Sequence, residues 1–270
     1  MKPEYLFLSV PANCGSTVLH NYIAMCKDVL PLGVLRKNDL EDIKFNLVEG
    51  YPYKIVHSNQ ETLDIYKNST TWWESYRLAS RFDWPAVKAE WDERWAWEKL
   101  KKPDATIKLQ KSPANMFIVP MMTENFANAK WILMVRNPYV HLEIIIDKIY
   151  DHSEKAIKLV ALQIIDMLTI QKENKIFLGD NVYCMTYESL VSNTETCTQE
   201  IKNFIPELSD LSFQGDVMVR DQVYTGLIKD ENEQFLNKLT NVPGAIELVN
   251  TYFAPHEDLL NYWGYQLITN

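Results

Sequence analysis

The sequence predicts an α/β fold in which a parallel β-sheet is covered by helices on both faces. Two patterns lead there. Short, almost wholly apolar runs at residues 5–10, 54–57, 106–109, 131–135 and 182–186 read as strands buried on both sides. Segments with helical spacing of apolar residues separate them, the alternation expected of parallel strands joined by right-handed crossovers. No repeat, low-complexity tract or Pro/Gly/Ser-rich linker interrupts the 270 residues, so positions 1–270 read as one domain.

Taken in order, the first strand is followed by Val18, Leu19, Tyr22, Ile23 and Cys26, which share one helical face. Residues 58–104 then hold six of the eight tryptophans, at positions 72, 73, 84, 91, 95 and 97. Asp83 is placed to cap a helix with Pro85 in its first turn, and Trp91 and Trp95 then fall on one face. The segment reads as a helical insertion packing its own aromatic core, or as an aromatic-lined acceptor pocket or lid. Helices are also expected over 142–150, 157–171 and 197–204.

A formal net charge of −9 argues against nucleic acid or an anionic membrane surface as partner. No stretch of about 18 apolar residues exists to span a bilayer. The first apolar run is too short for a signal-peptide core. Cys14, Cys26, Cys184 and Cys197 lack metal-site spacing and read as reduced thiols, so a cytoplasmic protein without a bound metal is expected.

Three segments carry candidate chemistry. Pro11, Ala12, Asn13, Cys14, Gly15, Ser16 and Thr17 lie between a buried strand and a helix. A glycine-containing turn there lets backbone N–H groups and the helix dipole close on an anion, with Ser16 and Thr17 adding hydroxyls or capping the helix. The Walker pattern and its lysine are absent, which weighs against a kinase-like phosphotransferase. Lys111, in Gln110-Lys111-Ser112-Pro113, closes a strand at the edge where parallel sheets bind ligands. Arg136, in Arg136-Asn137-Pro138, ends another, and its planar fork suits phosphate. Taken singly, each equally suits an ordinary turn, a solvated lysine or a surface ion pair.

In this order the motifs resemble the sulfotransferase superfamily, whose fold is related to that of the P-loop nucleotide hydrolases. So do Thr186-Tyr187-Glu188-Ser189-Leu190, similar to the family's Tyr-Glu-Asp-Leu, and the closing Trp263-Gly264-Tyr265. The resemblance implies in-line transfer of a sulfuryl group from PAPS (3′-phosphoadenosine-5′-phosphosulfate) to a hydroxyl or amine of a small molecule or glycan, releasing PAP (3′,5′-diphosphoadenosine). Asn13, Cys14, Gly15, Ser16 and Thr17 would then cradle the 5′-phosphosulfate, Lys111 would face the sulfuryl group, and Arg136 would hold the 3′-phosphate, with Arg220 either reaching the same phosphate from a late loop or pairing with Asp221 or another acid. Glu49, in a Glu-Gly pair similar to that of some bacterial members, His57 and His20 are the candidates for the acceptor-side base. Two departures stand out. The family usually has a lysine or arginine where this chain has Asn13, and a serine where it has Ile144. These leave open a sulfotransferase-like protein that binds nucleotide without turnover.

Overall fold

The structure is a computed structural model, and it describes residues 2–32, 84–149, 152–219, 222–224, 228 and 230–269. Along the chain come β1 (Tyr5–Ser9), α1 (Ser16–Met25), β2 (Val29–Pro31), α2 (Trp84–Lys99), β3 (Ile107–Lys111), α3 (Asn115–Asn125), β4 (Ala129–Val135), α4 (Pro138–Ile149), α5 (Glu154–Leu178), β5 (Val182–Thr186), α6 (Tyr187–Ser192) and α7 (Thr194–Phe204). A short antiparallel hairpin of β6 (Val217–Val219) and β7 (Gln222–Tyr224) follows, then α8 (Asn232–Thr240), α9 (Ala245–Phe253) and α10 (Glu257–Tyr262).

The first five strands form one parallel sheet in the order β2-β3-β1-β4-β5. β1 is central because its side chains are apolar on both faces. Tyr5 and Phe7 point into a core shared with α2, α3 and α5, while Leu6 and Leu8 point into the core under α1, α6 and α7. Trp131 and Leu133 of β4 repeat the first orientation, and Ile132 and Met134 the second. The expected run at 54–57 lies outside the described residues. Several elements were not anticipated: β2, which has only three residues, α3, which contains Pro120, the β6-β7 hairpin, and α8 to α10.

The tryptophan helix departs from the expectation of a self-contained insertion. Trp91 and Trp95 do share a buried face of α2, but they pack into the main core. Trp91 stacks on Phe126 with centroids 5.3 Å apart and tilts against Phe7 at 6.4 Å, and Trp95 meets Tyr5 at 5.7 Å. These rings are thus buried against residues distant in sequence, while residues 58–83, with Trp72 and Trp73, lie outside the described residues. Trp97, on the opposite side, is exposed.

Register decides where the chemistry falls. Leu8 is level with Lys111 on one side and Ile132 on the other, so β1, β3 and β4 deliver their C-terminal ends to one edge. The segment after β1 therefore emerges between the end of β3 and the end of β4.

Candidate functional site

That segment is a tight loop closed by a bond from the Cys14 N–H to the Pro11 carbonyl at 3.2 Å. Asn13 (φ 67°) and Gly15 (φ 85°) are both left-handed. Glycine suits position 15 twice over: it tolerates that φ, and a Cβ there would lie 2.8 Å from the Tyr187 ring. Gly15 is also the N-cap of α1, and no side chain caps the helix, so Ser16 and Thr17 do not play that part. The first-turn amides stay open to a ligand or water. Alternating backbone conformation before a helix N-terminus is a concavity suited to an anion.

Lys111 closes β3 on one side of this loop. It is almost fully buried, and its Nζ donates to Thr17 Oγ1 at 3.3 Å. The turn behind it is fixed by Asn115, whose Nδ2 donates to Leu8 O at 2.8 Å and to Gln110 Oε1 at 2.7 Å.

Arg136 follows β4 on the other side and is 5% exposed. Its Nη1 donates to the Asn13 carbonyl at 3.0 Å and its Nε to Asn232 Oδ1 at 2.8 Å, and the guanidinium lies 4.0 Å from the centre of the Tyr187 ring. Its Nη2 is buried and finds no partner among the described residues. Glu188 steadies this arrangement from below. Its Oε1 accepts from the Asn137 N–H (2.9 Å) and from Asn232 Nδ2 (2.7 Å), and its Oε2 accepts from the Tyr265 hydroxyl (2.7 Å). The Tyr187-Glu188 and Trp263-Gly264-Tyr265 motifs thus meet in space.

Solved structures share this architecture. A sulfotransferase from Mycobacterium avium superposes with a TM-score of 0.54 at 12% identity, covering 100% of this chain and 79% of that one. One from Alicyclobacillus acidocaldarius gives 0.52 at 15% identity over 99% and 98% of the two chains. The sulfotransferase domain of the Synechococcus PCC 7002 olefin synthase gives 0.51 at 17% over 99% and 96%. The chain has the sulfotransferase fold. No family model matches it, and no curated protein matches it in sequence.

On this sulfotransferase fold, the structure brings together Asn13, Cys14, Gly15, Ser16, Thr17, Lys111 and Arg136 from the residues that the sequence nominated. Glu49, His57 and Arg220 lie outside the described residues. Cys14 contributes its backbone to the loop, while its side chain turns inward to His141, with Sγ 3.6 Å from Nδ1. His141 Nε2 lies 2.8 Å from the Ala12 carbonyl. A carbonyl only accepts, so Nε2 carries the proton and Nδ1 is left to accept from the thiol. Burial pushes the Cys14 thiol well above its usual range, which keeps it protonated.

His20, on α1 one turn beyond Thr17, has Nδ1 3.0 Å from Asn21 Oδ1. Its Nε2 is buried without a partner among the described residues. With the proton on Nδ1, Nε2 presents a lone pair. Asn232, His141 and the role of Glu188 could not be found from sequence. Asn232 carried no signal beyond its place in the acidic run Asp230-Glu231-Asn232.

Burial holds both imidazoles neutral, lowering His20 and His141 from 6.5 to about 4 against the pull of their hydrogen bonds. Unfolded histidines take up protons first as pH falls. The stability these rings contribute is therefore full above pH 6.5 and is lost between 6.5 and about 4. Denaturant midpoints should fall across that window, and less steeply in His141→Gln. A variant with the wild-type slope would show that His141 is not held neutral.

No helix among the described residues is long and apolar enough to cross a membrane. No group of three or more His, Cys, Asp or Glu suited to a metal ion is found among them.

Proposed function

We propose that this chain transfers a sulfuryl group from PAPS to a hydroxyl or amine of a small-molecule or glycan acceptor. The observation that carries this reading is Arg136 Nη2, a charged donor with no partner among the described residues, in a 5% exposed side chain beside an anion-shaped loop. A buried donor without a partner is costly, and an arriving phosphate relieves that cost.

The residues fit an adenosine bisphosphate. Arg136 would hold the 3′-phosphate through its planar fork, and the amides of Asn13 and of residues 15–17 with the α1 dipole would hold the 5′-phosphate. PAPS supplies an activated sulfuryl group whose leaving group is that 5′-phosphate. Lys111 places a fixed cation beside the loop, where charge builds as the group departs. For the acceptor's proton, Glu49 and His57 stand from the sequence. His20 joins them because its Nε2 is neutral and has no partner among the described residues. All four cysteines are unpaired thiols, which supports a reducing compartment and hence the cytoplasm.

Thermal unfolding with PAP, with ATP and AMP as controls, tests the donor site. At about a hundred times its dissociation constant PAP should add roughly 2.7 kcal/mol of stability. A rise in Tm with PAP, small or absent with AMP, is the expected result. No rise would defeat the reading.

A second reading, nucleotide binding without turnover, is favoured by Asn13 and by Ile144, whose buried side chain has no hydrogen-bonding group. PAP binding with no PAPS consumption across an acceptor panel would select it.

A further inference from the structure

One face of α4 lies against the loop. His141, Ile144 and Lys148 are spaced three and four residues apart, so they stack along the helix. His141 holds the Ala12 carbonyl, as described above. Ile144, one turn on, is buried. Lys148, a further turn along, reaches the loop again, with Nζ donating to Asn13 Oδ1 at 2.6 Å.

Asn13 is therefore gripped by two cations, Arg136 on its carbonyl and Lys148 on its side-chain oxygen. Both contacts help to hold its left-handed backbone, with φ at 67°. They differ in cost of exchange. Arg136 is buried, whereas Lys148 is exposed, and an ammonium bonds a phosphate oxygen more strongly than a neutral amide oxygen. The chain as a whole carries −9, so a polyanionic nucleotide approaches against the average field and depends on cations placed at the loop.

We propose that Lys148 is a third cation of the donor site, delivering from α4 the positive charge that the loop lacks at position 13. Its Nζ rests on Asn13. With nucleotide bound it turns to the phosphate seated in the loop. Asn13 is then its resting partner and the spacer that leaves room for it. The proposal rests on the reading of this loop as the nucleotide site.

Calorimetric titration of PAP at low and moderate ionic strength separates the two. Wild type is compared with Lys148→Ala, Lys148→Arg, Lys238→Ala and the double variant Lys148→Ala with Asn13→Lys. Lys238 is the charge-matched control, since its Nζ pairs with Asp147 at 3.0 Å next to Lys148. Lys148→Ala should weaken PAP by roughly tenfold or more and flatten its salt dependence. Lys148→Arg should keep most of the affinity, and Lys238→Ala nearly all of it. Adding Asn13→Lys should restore binding from the loop side, a rescue that a purely structural role for Lys148 would not show. Wild-type affinity in Lys148→Ala, an equal loss in Lys238→Ala, or failure of the rescue overturns the proposal. If wild type itself binds no PAP, the donor reading falls and takes the proposal with it.

Discussion

Lys111→Ala should lower turnover by about two to three orders of magnitude while PAP affinity falls only a few-fold, in line with the removal of one preorganised charge from a transition state. The side chain is 2% exposed, ends β3, and is braced on Thr17 of the loop. A fixed cation in so dry a position interacts far more strongly with developing charge than one in water does. The same burial makes it expensive for the fold, because desolvating an ammonium costs several kcal/mol on the order of magnitude known for buried ions. The two roles separate in one experiment. A lysine retained for chemistry leaves Tm unchanged or raised when it becomes alanine, and one retained for the fold lowers it. Single-turnover rates of PAPS consumption, measured with an acceptor found by screening, give the other half. An unchanged rate, or a loss explained wholly by weaker donor binding, would remove Lys111 from the reacting centre.

Lys111 was legible in the sequence for a physical reason. A parallel sheet sends the C-terminal ends of its strands to one edge, so a charged residue closing an apolar run is already placed near the ligand crevice. Arg136 and the loop at 11–17 were legible in the same way, and residues 182–186 coincide with β5. What adjacency in sequence could not show was which distant groups would meet there. Asn232 bridges Arg136 and Glu188 across intervals of 96 and 44 residues. His141 and Lys148 depend on which face of α4 turns to the loop. Two of the tryptophans departed for the complementary reason: crowding in sequence suggested a private core, whereas Trp91 and Trp95 are buried by Phe7, Tyr5 and Phe126. β2 is only three residues long, Val29–Pro31, too brief for an alternation to register. Of α3, Pro120 and the run of methionines obscured the helical period.

Arg136→Lys is expected to cost roughly ten- to a hundredfold in PAP affinity, although charge is conserved, since one or more charge-assisted hydrogen bonds are lost. The guanidinium serves three directions at once: Nε to Asn232, Nη1 to the Asn13 carbonyl, and Nη2 without a partner among the described residues. An ammonium cannot reproduce that planar spread or lie flat over the Tyr187 ring as the guanidinium does at 4.0 Å. Although it ends a strand, this arginine is not peripheral to the fold. Two of its hydrogen bonds hold the loop and α8, so the substitution should also lower Tm. Binding and stability effects are told apart by a ratio. Stability loss weakens all nucleotides together, whereas removal of a 3′-phosphate contact weakens PAP and spares AMP. A collapse of the PAP-to-AMP preference in Arg136→Lys therefore assigns the 3′-phosphate to this side chain. Parallel weakening of both nucleotides would make Arg136 a support of the loop rather than a ligand of the phosphate.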